Sequence, residues 1–408
     1  MTKGWTKYKL SDLGFLGRGK SKHRPRNDES LFGGKYPFIQ TGEIKAANLY
    51  ISDYEQTYNE KGLAQSKLWN ENTLCMTIAA NIAETAILKI KACFPDSVVG
   101  FVADDKLCNV FFIKYYIDFI KNRMQSVSGG ACQDNLSLDK IAYFDIEAPK
   151  KEMQDKIAKV LSNYDDLIEN NNKRIKILEE MAQKIYKEWF VDFKFPGHEI
   201  ATFKQTELGK IPLDWEVKQI GKEYKTYLGG TPSRNEEKYW NGNISWLNSG
   251  KTNELRIIKA SEYITELGLE KSSTKLMPQY TTVLAITGAT LGQVSMLGSE
   301  MCANQSVVGI YSDTNPEYVF YLMKDKIQKL VQNASGGAQQ HINKDIVNEM
   351  KFVLPADTIL NDFKNSICPI NKKIFNLLYK NRALKQTRDL LLPRLISGEI
   401  DVKNLKVL

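Results

Sequence analysis

A basic segment near the amino terminus, Gly17–Arg26, carries a cation at every second residue. The cations are Arg18, Lys20, Lys22, Arg24 and Arg26, and His23 lies among them. Side chains alternate between the two faces of an extended chain, so the five cations would face one way, about 6.6 Å apart. This spacing is close to two base steps of a DNA strand, so the row predicts contacts to phosphates. A solvated basic loop is the alternative interpretation.

Polar residues in several loops could contact bases. Gln and Asn side chains can form two hydrogen bonds with adenine in the major groove. In the first half of the chain the candidates are Gln40, Thr41, Gln133 and Asn135. In the second half they are Thr231, Ser233, Arg234, Lys238, Lys251, Gln339, Gln340 and His341. Some of them follow Ser-Gly-Gly-Ala loops, for which a glycine turn that caps a helix is an equally good interpretation.

Patterns typical of catalysis and metal binding are missing or weak in the sequence. There is no Cys-x-x-Cys pair, and the three histidines lie far apart, which excludes the usual zinc spacing. The chain also lacks a complete G-x-G-x-x-G nucleotide loop and the Asn/Asp-Pro-Pro-aromatic motif of amino-methyltransferases. Pro95-Asp96 followed by Asp104-x-Lys106 resembles a nuclease metal site. That pattern is loose and has no counterpart in the second half, so we favour surface positions.

The chain repeats itself at a nearly constant offset. The matched pairs are Ser126–Ala131 with Asn333–Ala338, Leu31–Glu43 with Tyr239–Lys251, Asp139 with Asp345, and Pro149 with Pro355. Ordered matches over most of both halves predict a duplicated fold. Strand-like segments (Ala86–Ile90, Phe144–Pro149, Thr281–Thr287) and a helix-like one (Pro316–Val331) predict that each repeat is α+β.

Each repeat ends in a helical stretch whose apolar residues recur at alternating spacings of three and four. The first seam comprises Ile157, Leu161, Tyr164, Ile168, Asn171, Ile175, Leu178, Ala182, Ile185 and Trp189. The second comprises Phe363, Ile367, Ile370, Ile374, Leu377, Asn381, Leu384, Arg388, Leu391 and Leu395. Each is a heptad seam about 48 Å long, and Ile177, Met181 and Leu390 are expected to widen the apolar face.

Two matched long helices favour packing against each other, whereas ordinary core helices are the alternative. In an antiparallel pairing Asn171 would face Asn381, a polar layer that fixes register. The same register predicts contacts of Trp189 with Phe363 and of Tyr164 with Arg388.

The composition limits the possible functions less strongly than the motifs do. The chain has 408 residues and a formal net charge of +8, and its first 26 residues hold eight Lys or Arg against one acid, Asp12. The sequence predicts a cytoplasmic protein with no membrane segment. Its six cysteines are scattered, its amino terminus lacks the apolar core of a signal peptide, and it has no apolar run of about 18 residues.

Five segments together resemble the specificity subunit of type I restriction-modification systems. They are Leu31–Glu43, Tyr186–Glu199, Thr206–Val217, Gly229–Arg234 and Thr387–Ile400, and the resemblance covers essentially the whole chain. It implies two target recognition domains that alternate with two similar helical regions. This agrees with the fold expected from the repeats and seams: two similar α+β domains, each followed by a long α-helix, with the two helices packed as an antiparallel coiled coil of pseudo-twofold symmetry. The expected regions are 1–150 and 196–356 for the domains, and 151–195 and 357–408 for the helical spacers.

The resemblance also implies partners. The chain would be non-catalytic, would bind a bipartite, asymmetric target in double-stranded DNA, and would dock two methyltransferase subunits. Restriction (translocase and endonuclease) subunits are a further partner that the resemblance allows. The chain would hold no cofactor, since S-adenosylmethionine, ATP and Mg would bind to those partners. The alternatives are a stand-alone DNA-modifying or DNA-cleaving enzyme, and a coiled-coil scaffold without a DNA function.

Overall fold

The computed structural model describes residues 4–79, 81–128, 135–333 and 342–403. The chain forms two compact units. The first comprises Met1–Asn170 and Asn381–Leu408, and the second comprises Asn171–Lys380. Each unit therefore combines a mixed α/β domain with parts of two long helices.

The described residues of the first unit form eleven strands. They are β1 (Thr6–Lys9), β2 (Gly14–Arg18), β3 (Phe32–Phe38), β4 (Tyr50–Ile51), β5 (Gln56–Tyr58), β6 (Leu68–Trp69), β7 (Leu74–Thr77), β8 (Thr85–Leu88), β9 (Ala92–Cys93), β10 (Val98–Ala103) and β11 (Asp145–Ala148). Its helices are α1 (Thr41–Ala46), α2 (Glu60–Ala64), α3 (Val110–Ser128), α4 (Leu138–Ala142) and the start of α5 (Lys151–Tyr186). The strands form sheets of order β2-β10-β7-β8-β4, β5-β3-β9-β6 and β1-β11.

The second unit repeats this arrangement after an added hairpin. Its strands are β12 (Phe203–Thr206), β13 (Gly209–Pro212), β14 (Glu216–Gln219), β15 (Lys225–Leu228), β16 (Trp240–Leu247), β17 (Arg256–Ile257), β18 (Glu262–Ile264), β19 (Thr282–Ala285), β20 (Val294–Leu297), β21 (Cys302–Ala303), β22 (Val307–Tyr311) and β23 (Lys351–Leu354). Its helices are α6 (Ile220–Glu223), α7 (Glu266–Glu270), α8 (Pro316–Asn333), α9 (Lys344–Glu349) and the start of α10 (Asp357–Ile396).

The two units share one sheet topology. The five-stranded sheet of the second unit has the order β15-β22-β19-β20-β17, which matches the first unit strand for strand, and β14-β23 matches β1-β11. The second mixed sheet, β18-β16-β21, reproduces three of the four strands of its counterpart. The duplication predicted from the sequence is thus confirmed, with one α+β domain before each long helix.

In each unit α3 or α8 covers one face of the five-stranded sheet. Phe112, Ile113, Ile117, Ile120 and Met124 of α3 are buried against strand residues. Their spacings of one, three and four residues place them on one stripe of the helix, which explains the packing. The equivalent stripe of α8 lies in the core of the second unit.

The long helices confirm the predicted seams. All of the seam positions on α5 and α10 are buried or half-buried. Within the first unit the start of α5 packs with the end of α10, and Arg388 is bonded to Asp165. Within the second unit the end of α5 continues into a π-helical turn, Lys187–Val191, and meets the start of α10, where the rings of Trp189 and Phe363 lie 5.9 Å apart, as predicted. The pairing is therefore antiparallel in each unit.

Two details of the seam differ from expectation. Ile177, Met181 and Leu390 are 56%, 48% and 71% exposed, so the expected wider apolar face is wrong. Each comes one residue before a seam position, and one residue corresponds to about 100° around a helix, so these side chains point to the side of the seam. Arg388, predicted opposite Tyr164, is bonded to the neighbouring Asp165.

Two predictions about this architecture stay predictions. Asn171 and Asn381 are both buried, but they belong to different compact units, so their mutual contact stays a prediction. The region boundaries at 150, 195 and 356 also stay predictions. No helix among the described residues is long and apolar enough to span a membrane.

Buried tyrosines make the fold sensitive to alkaline pH. Burial is the main cause that raises the pKa of Tyr115, Tyr186, Tyr318 and Tyr321. The folded chain keeps these protons at a pH where the unfolded chain, with a tyrosine pKa of about 10, loses them. The free energy of unfolding should therefore be unaffected below about pH 10 and fall as pH rises further.

We expect urea unfolding between pH 8 and 11 to show this loss. Exposed tyrosines such as Tyr143 ionise in the folded chain as well, so the buried ones should add a further rise in absorbance at 295 nm when the chain unfolds. Tyr186→Phe keeps the buried ring and removes one titrating group. It should reduce the slope above pH 10 by up to about 1.4 kcal/mol per pH unit. An unchanged slope in this variant would contradict the prediction.

Candidate nucleic-acid interface

The predicted basic segment begins as an extension of strand β2. The backbone amide of Gly19 donates to the Val98 carbonyl at 2.8 Å, and that of Lys20 donates to the Phe94 carbonyl at 3.1 Å. A Cβ at residue 19 would lie 2.3 Å from the carbonyl oxygens of Phe94 and Pro95, so this close approach requires glycine. Because the chain stays extended, its side chains alternate between buried and exposed.

Three of the predicted cations share the exposed face. Arg18, Lys20 and Lys22 are exposed, whereas Gly19 and Ser21 between them are buried. Lys67, which the sequence did not single out, adds a cation beside them. Its ammonium lies 3.6 Å from the centroid of the Trp69 ring, and its pKa is lowered by burial and by the nearby Lys20. The only sequence signal for Lys67 was its position two residues before Trp69.

The prediction that five cations form a single row is wrong from Arg24 onward. The chain turns between residues 23 and 27, and the Arg24 guanidinium donates to the Ser21 carbonyl at 2.6 Å. Arg26 forms an ion pair with the Asp96 carboxylate at 2.6 Å, and Arg24 lies 3.7 Å from the same carboxylate. Arg18 donates to the Asp96 backbone carbonyl at 2.9 Å. Three arginines thus converge on Asp96, which attracts the two later ones out of the row.

His23 and Asp28 stabilise this turn. The His23 Nε2 and an Asp28 carboxylate oxygen are 2.6 Å apart, and the His23 amide donates to the Gln65 side chain at 3.0 Å. Hydrogen bonds from Ser30, followed by the contact with His23, lower the pKa of Asp28 to about 2. His23 is therefore engaged by the loop itself.

The turn forms one side of a recess with a volume of about 650 Å³. The recess brings together three predicted residues, Arg26, Gln40 and Thr41, with Gln56, which the sequence analysis missed. The Gln40 amide donates to the Gln56 side-chain oxygen at 3.1 Å. The remaining lining residues are Ser21, Asn27, Glu29, Phe32, Gly33, Phe38, Pro95 and Ser97. Its polar groups and aromatic wall suit a polar planar ligand.

The equivalent loop of the second unit has the same backbone contacts and different side chains. The Gly229 amide donates to the Val307 carbonyl at 3.0 Å, and that of Gly230 donates to the Ala303 carbonyl at 2.8 Å. The Thr231 hydroxyl donates to the Gln305 side chain at 2.5 Å.

The predicted cations of the second unit have acidic neighbours. Arg234 is paired with Glu262 at 2.7 Å, and its guanidinium carbon lies 3.7 Å from the centroid of the Trp240 ring. The Ser233 carbonyl accepts from the indole of the same tryptophan at 3.1 Å. Lys238 is paired with Glu236 at 3.0 Å, and Lys251 with Glu254 at 2.6 Å.

Most residues predicted after the Ser-Gly-Gly-Ala loops lie outside the described residues. These are Gln133, Gln339, Gln340 and His341. Asn135 is described and exposed, and its backbone carbonyl accepts from the Lys140 side chain at 3.3 Å.

The residues of the nuclease-like pattern do not meet. Asp96 precedes strand β10 and Asp104 follows it. A six-residue strand is about 20 Å long, so one metal ion could not bind both carboxylates. Asp96 is occupied by arginines, and the Asp104 carboxylate accepts from the Lys106 amide at 3.0 Å.

Comparisons with known proteins agree with this duplicated architecture. The family model described as the type I restriction modification DNA specificity domain matches residues 2–180 and 212–383. The MjaIX type I restriction enzyme specificity subunit of Methanocaldococcus jannaschii is 26% identical over 99% of this chain and 95% of its own length. The HindI specificity subunit of Haemophilus influenzae is 24% identical over 69% of this chain and 74% of its own.

A solved structure shares the fold. The S subunit of a type I restriction-modification system from M. genitalium superposes with a TM-score of 0.59. It is 14% identical and covers 96% of this chain and 96% of its own.

Proposed function

The chain belongs to the type I restriction modification DNA specificity family and is a specificity subunit with two recognition domains; from this premise we propose that each domain reads one half of a bipartite, asymmetric target in double-stranded DNA. One observation carries the proposal. The same backbone loop, anchored by the same amide contacts, recurs in both units but presents different side chains. A shared scaffold with different polar groups is what two unlike half-sites require.

The charges of the first unit support contact with phosphates. Lys20 and Lys22 are exposed, and within the described part of the chain neither forms an ion pair. Together with Arg18 and Lys67 they give one face a positive potential, which attracts a polyanion and holds it in register.

The proposed partners follow from the family. Two methyltransferase subunits would dock on the chain and supply S-adenosylmethionine, and restriction subunits would supply ATP- and Mg-dependent cleavage. The chain itself would be non-catalytic, and its DNA-binding role would be performed in the cytoplasm. Mapping methyladenine across the genome with and without the gene would return both half-sites and their spacing. Methylation sites that do not change when the gene is deleted would contradict the proposal.

A salt titration tests the phosphate face directly. The double variant Lys20→Ala, Lys22→Ala should bind its target more weakly, and the slope of log affinity against log salt should become shallower by about 2, because each lost phosphate contact contributes about 0.9. Lys7→Ala with Lys9→Ala is the matched control, since it removes two cations that pair with Glu147 and Asp145. Equal slopes for the two double variants would rule out this face.

A further inference from the structure

The internal repeat allows the recess of the first unit to be compared with its counterpart. In the hairpin of β3 and β5, Phe38 pairs with Gln56. In the equivalent hairpin of β16 and β18, Trp246 pairs with Glu262. By the same register, Phe32 corresponds to Trp240. Both units therefore have an aromatic wall next to one polar residue on the adjoining strand.

In the second unit a planar group belonging to the chain lies on this wall. The Arg234 guanidinium stands 3.7 Å from the Trp240 ring centroid and 5.2 Å from that of Trp246. Its charge is balanced by Glu262 at 2.7 Å. The aromatic wall of the second unit thus accepts a flat, delocalised group that stacks on an aromatic side chain and bonds to the neighbouring strand.

In the first unit the arginines of the same loop take another position. Arg24 and Arg26 are bound to Asp96 instead of lying over the aromatic wall. The wall of Phe32 and Phe38 consequently faces the recess of about 650 Å³. A flat group from outside the chain could lie there as Arg234 does in the second unit.

The lining indicates which flat group would fit. The carboxylate of Glu262 is replaced by the neutral amide of Gln56. Among the described residues, the charged ones that line the recess are Arg26 and Glu29, which have opposite charges. A guanidinium would lose its carboxylate partner, so a neutral group is favoured. The Gln40–Gln56 hydrogen bond leaves one N–H of Gln40, both N–H groups of Gln56 and a lone pair on each amide oxygen for further hydrogen bonds, which matches the donor and acceptor edge of a nucleobase.

We propose that this recess binds one unstacked nucleobase of the DNA target, stacked on Phe32 and held by Gln40 and Gln56. The inference rests on the proposed function, because it assigns the recess to the same DNA. Arg18, Lys20 and Lys22 lie on the segment that leads to the recess and could hold the flanking phosphates. Recognition would then include a base removed from the stack, as well as contacts to groove edges.

The experiment uses the full chain and duplexes of the mapped target that carry 2-aminopurine at one position at a time. We expect fluorescence to rise several-fold at a single position, in one half-site only, because 2-aminopurine brightens when it leaves the stack. Gln56→Ala should abolish the rise, whereas Gln205→Ala, on the exposed strand β12, should not. A mismatch at the same position should tighten binding roughly tenfold, because the pair is already broken.

The outcomes separate this inference from the function on which it rests. If the chain prefers its target to a scrambled duplex, but no position brightens and every mismatch weakens binding, the recess does not hold a base and the proposed function stands. If the chain does not distinguish target from scrambled DNA, both fail.

Discussion

Replacing Asp165 with alanine is expected to destabilise the first unit by about 3–5 kcal/mol, the typical cost of removing one partner from a buried ion pair. The Asp165 carboxylate has no exposed surface. It accepts from the Arg388 guanidinium, from the Asn48 amide at 2.9 Å and from the Tyr115 hydroxyl at 2.5 Å. The variant would leave three donors without this acceptor: the buried Tyr115 hydroxyl and the partly buried Asn48 and Arg388 side chains.

The position of Asp165 explains why the effect should extend through the unit. Asp165 lies on α5, Tyr115 on α3 and Arg388 on α10. One carboxylate thus joins the helix that covers the sheet to both long helices. We expect faster hydrogen exchange in the α3 peptides of the variant, which reports the first unit without assuming that the whole chain unfolds in two states.

Asp389→Ala is the matched control. Asp389 also bonds to Arg388, at 2.8 Å, but its side chain is 62% exposed. An exposed pair is worth less than about 1 kcal/mol, so exchange in α3 should barely change. If Asp165→Ala accelerates exchange no more than Asp389→Ala does, the buried network does not hold the helices together.

The sequence predicted the parts of this fold that periodicity determines. The offset between repeats indicated two similar domains, and the seam spacing indicated the long helices and the Trp189–Phe363 contact. The strand predicted at Thr281–Thr287 is β19, and the helix predicted at Pro316–Val331 is α8. These predictions succeed because one side of each element must be buried along its whole length.

Features that depend on a single distant partner were not predictable. An alternating basic row predicts an extended chain, but Asp96, some seventy residues away in sequence, draws Arg24 and Arg26 out of it. Gln56 enters the recess only through its register opposite Phe38. Asp165 lies among buried seam residues, but the seam was identified from apolar and Asn positions. It therefore did not include a carboxylate whose partner is on another helix.

Both units join the domain to the long helices through buried polar contacts, but the charged residues of these contacts lie at different positions. Tyr321 in the second unit occupies the place of Tyr115, and Asn371 that of Asp165, at the same offset of 206 residues. The arginine that bonds to Asn371 comes from the domain, Arg256 of β17, whereas the arginine bonded to Asp165 comes from the helix α10. Each unit therefore has its own buried polar junction between domain and helices.

Arg256→Met should be the most destabilising exchange of one arginine in the second unit. The Arg256 side chain is 1% exposed, donates to the Asn371 side chain at 2.9 Å and is paired with Glu179 at 3.4 Å. Its guanidinium carbon also stands 3.9 Å from the Phe320 ring centroid. Methionine can fill much of the space but cannot balance the nearly buried carboxylate. Lys324 interacts electrostatically with Glu179 and compensates in part, so we expect about 3 kcal/mol, the lower end for such pairs.

A second substitution separates the effect of the unbalanced charge on stability from the effect of the lost packing. Adding Glu179→Gln to Arg256→Met removes the unbalanced carboxylate, so the double variant should recover about half of the loss, measured by hydrogen exchange in the α8 peptides. Arg234→Met is the control, because that arginine belongs to an exposed ion pair and its loss should cost less than about 1 kcal/mol. If the double variant is less stable than Arg256→Met alone, the cost arises from lost packing against Phe320, and Glu179 is not the reason why the domain needs its buried arginine.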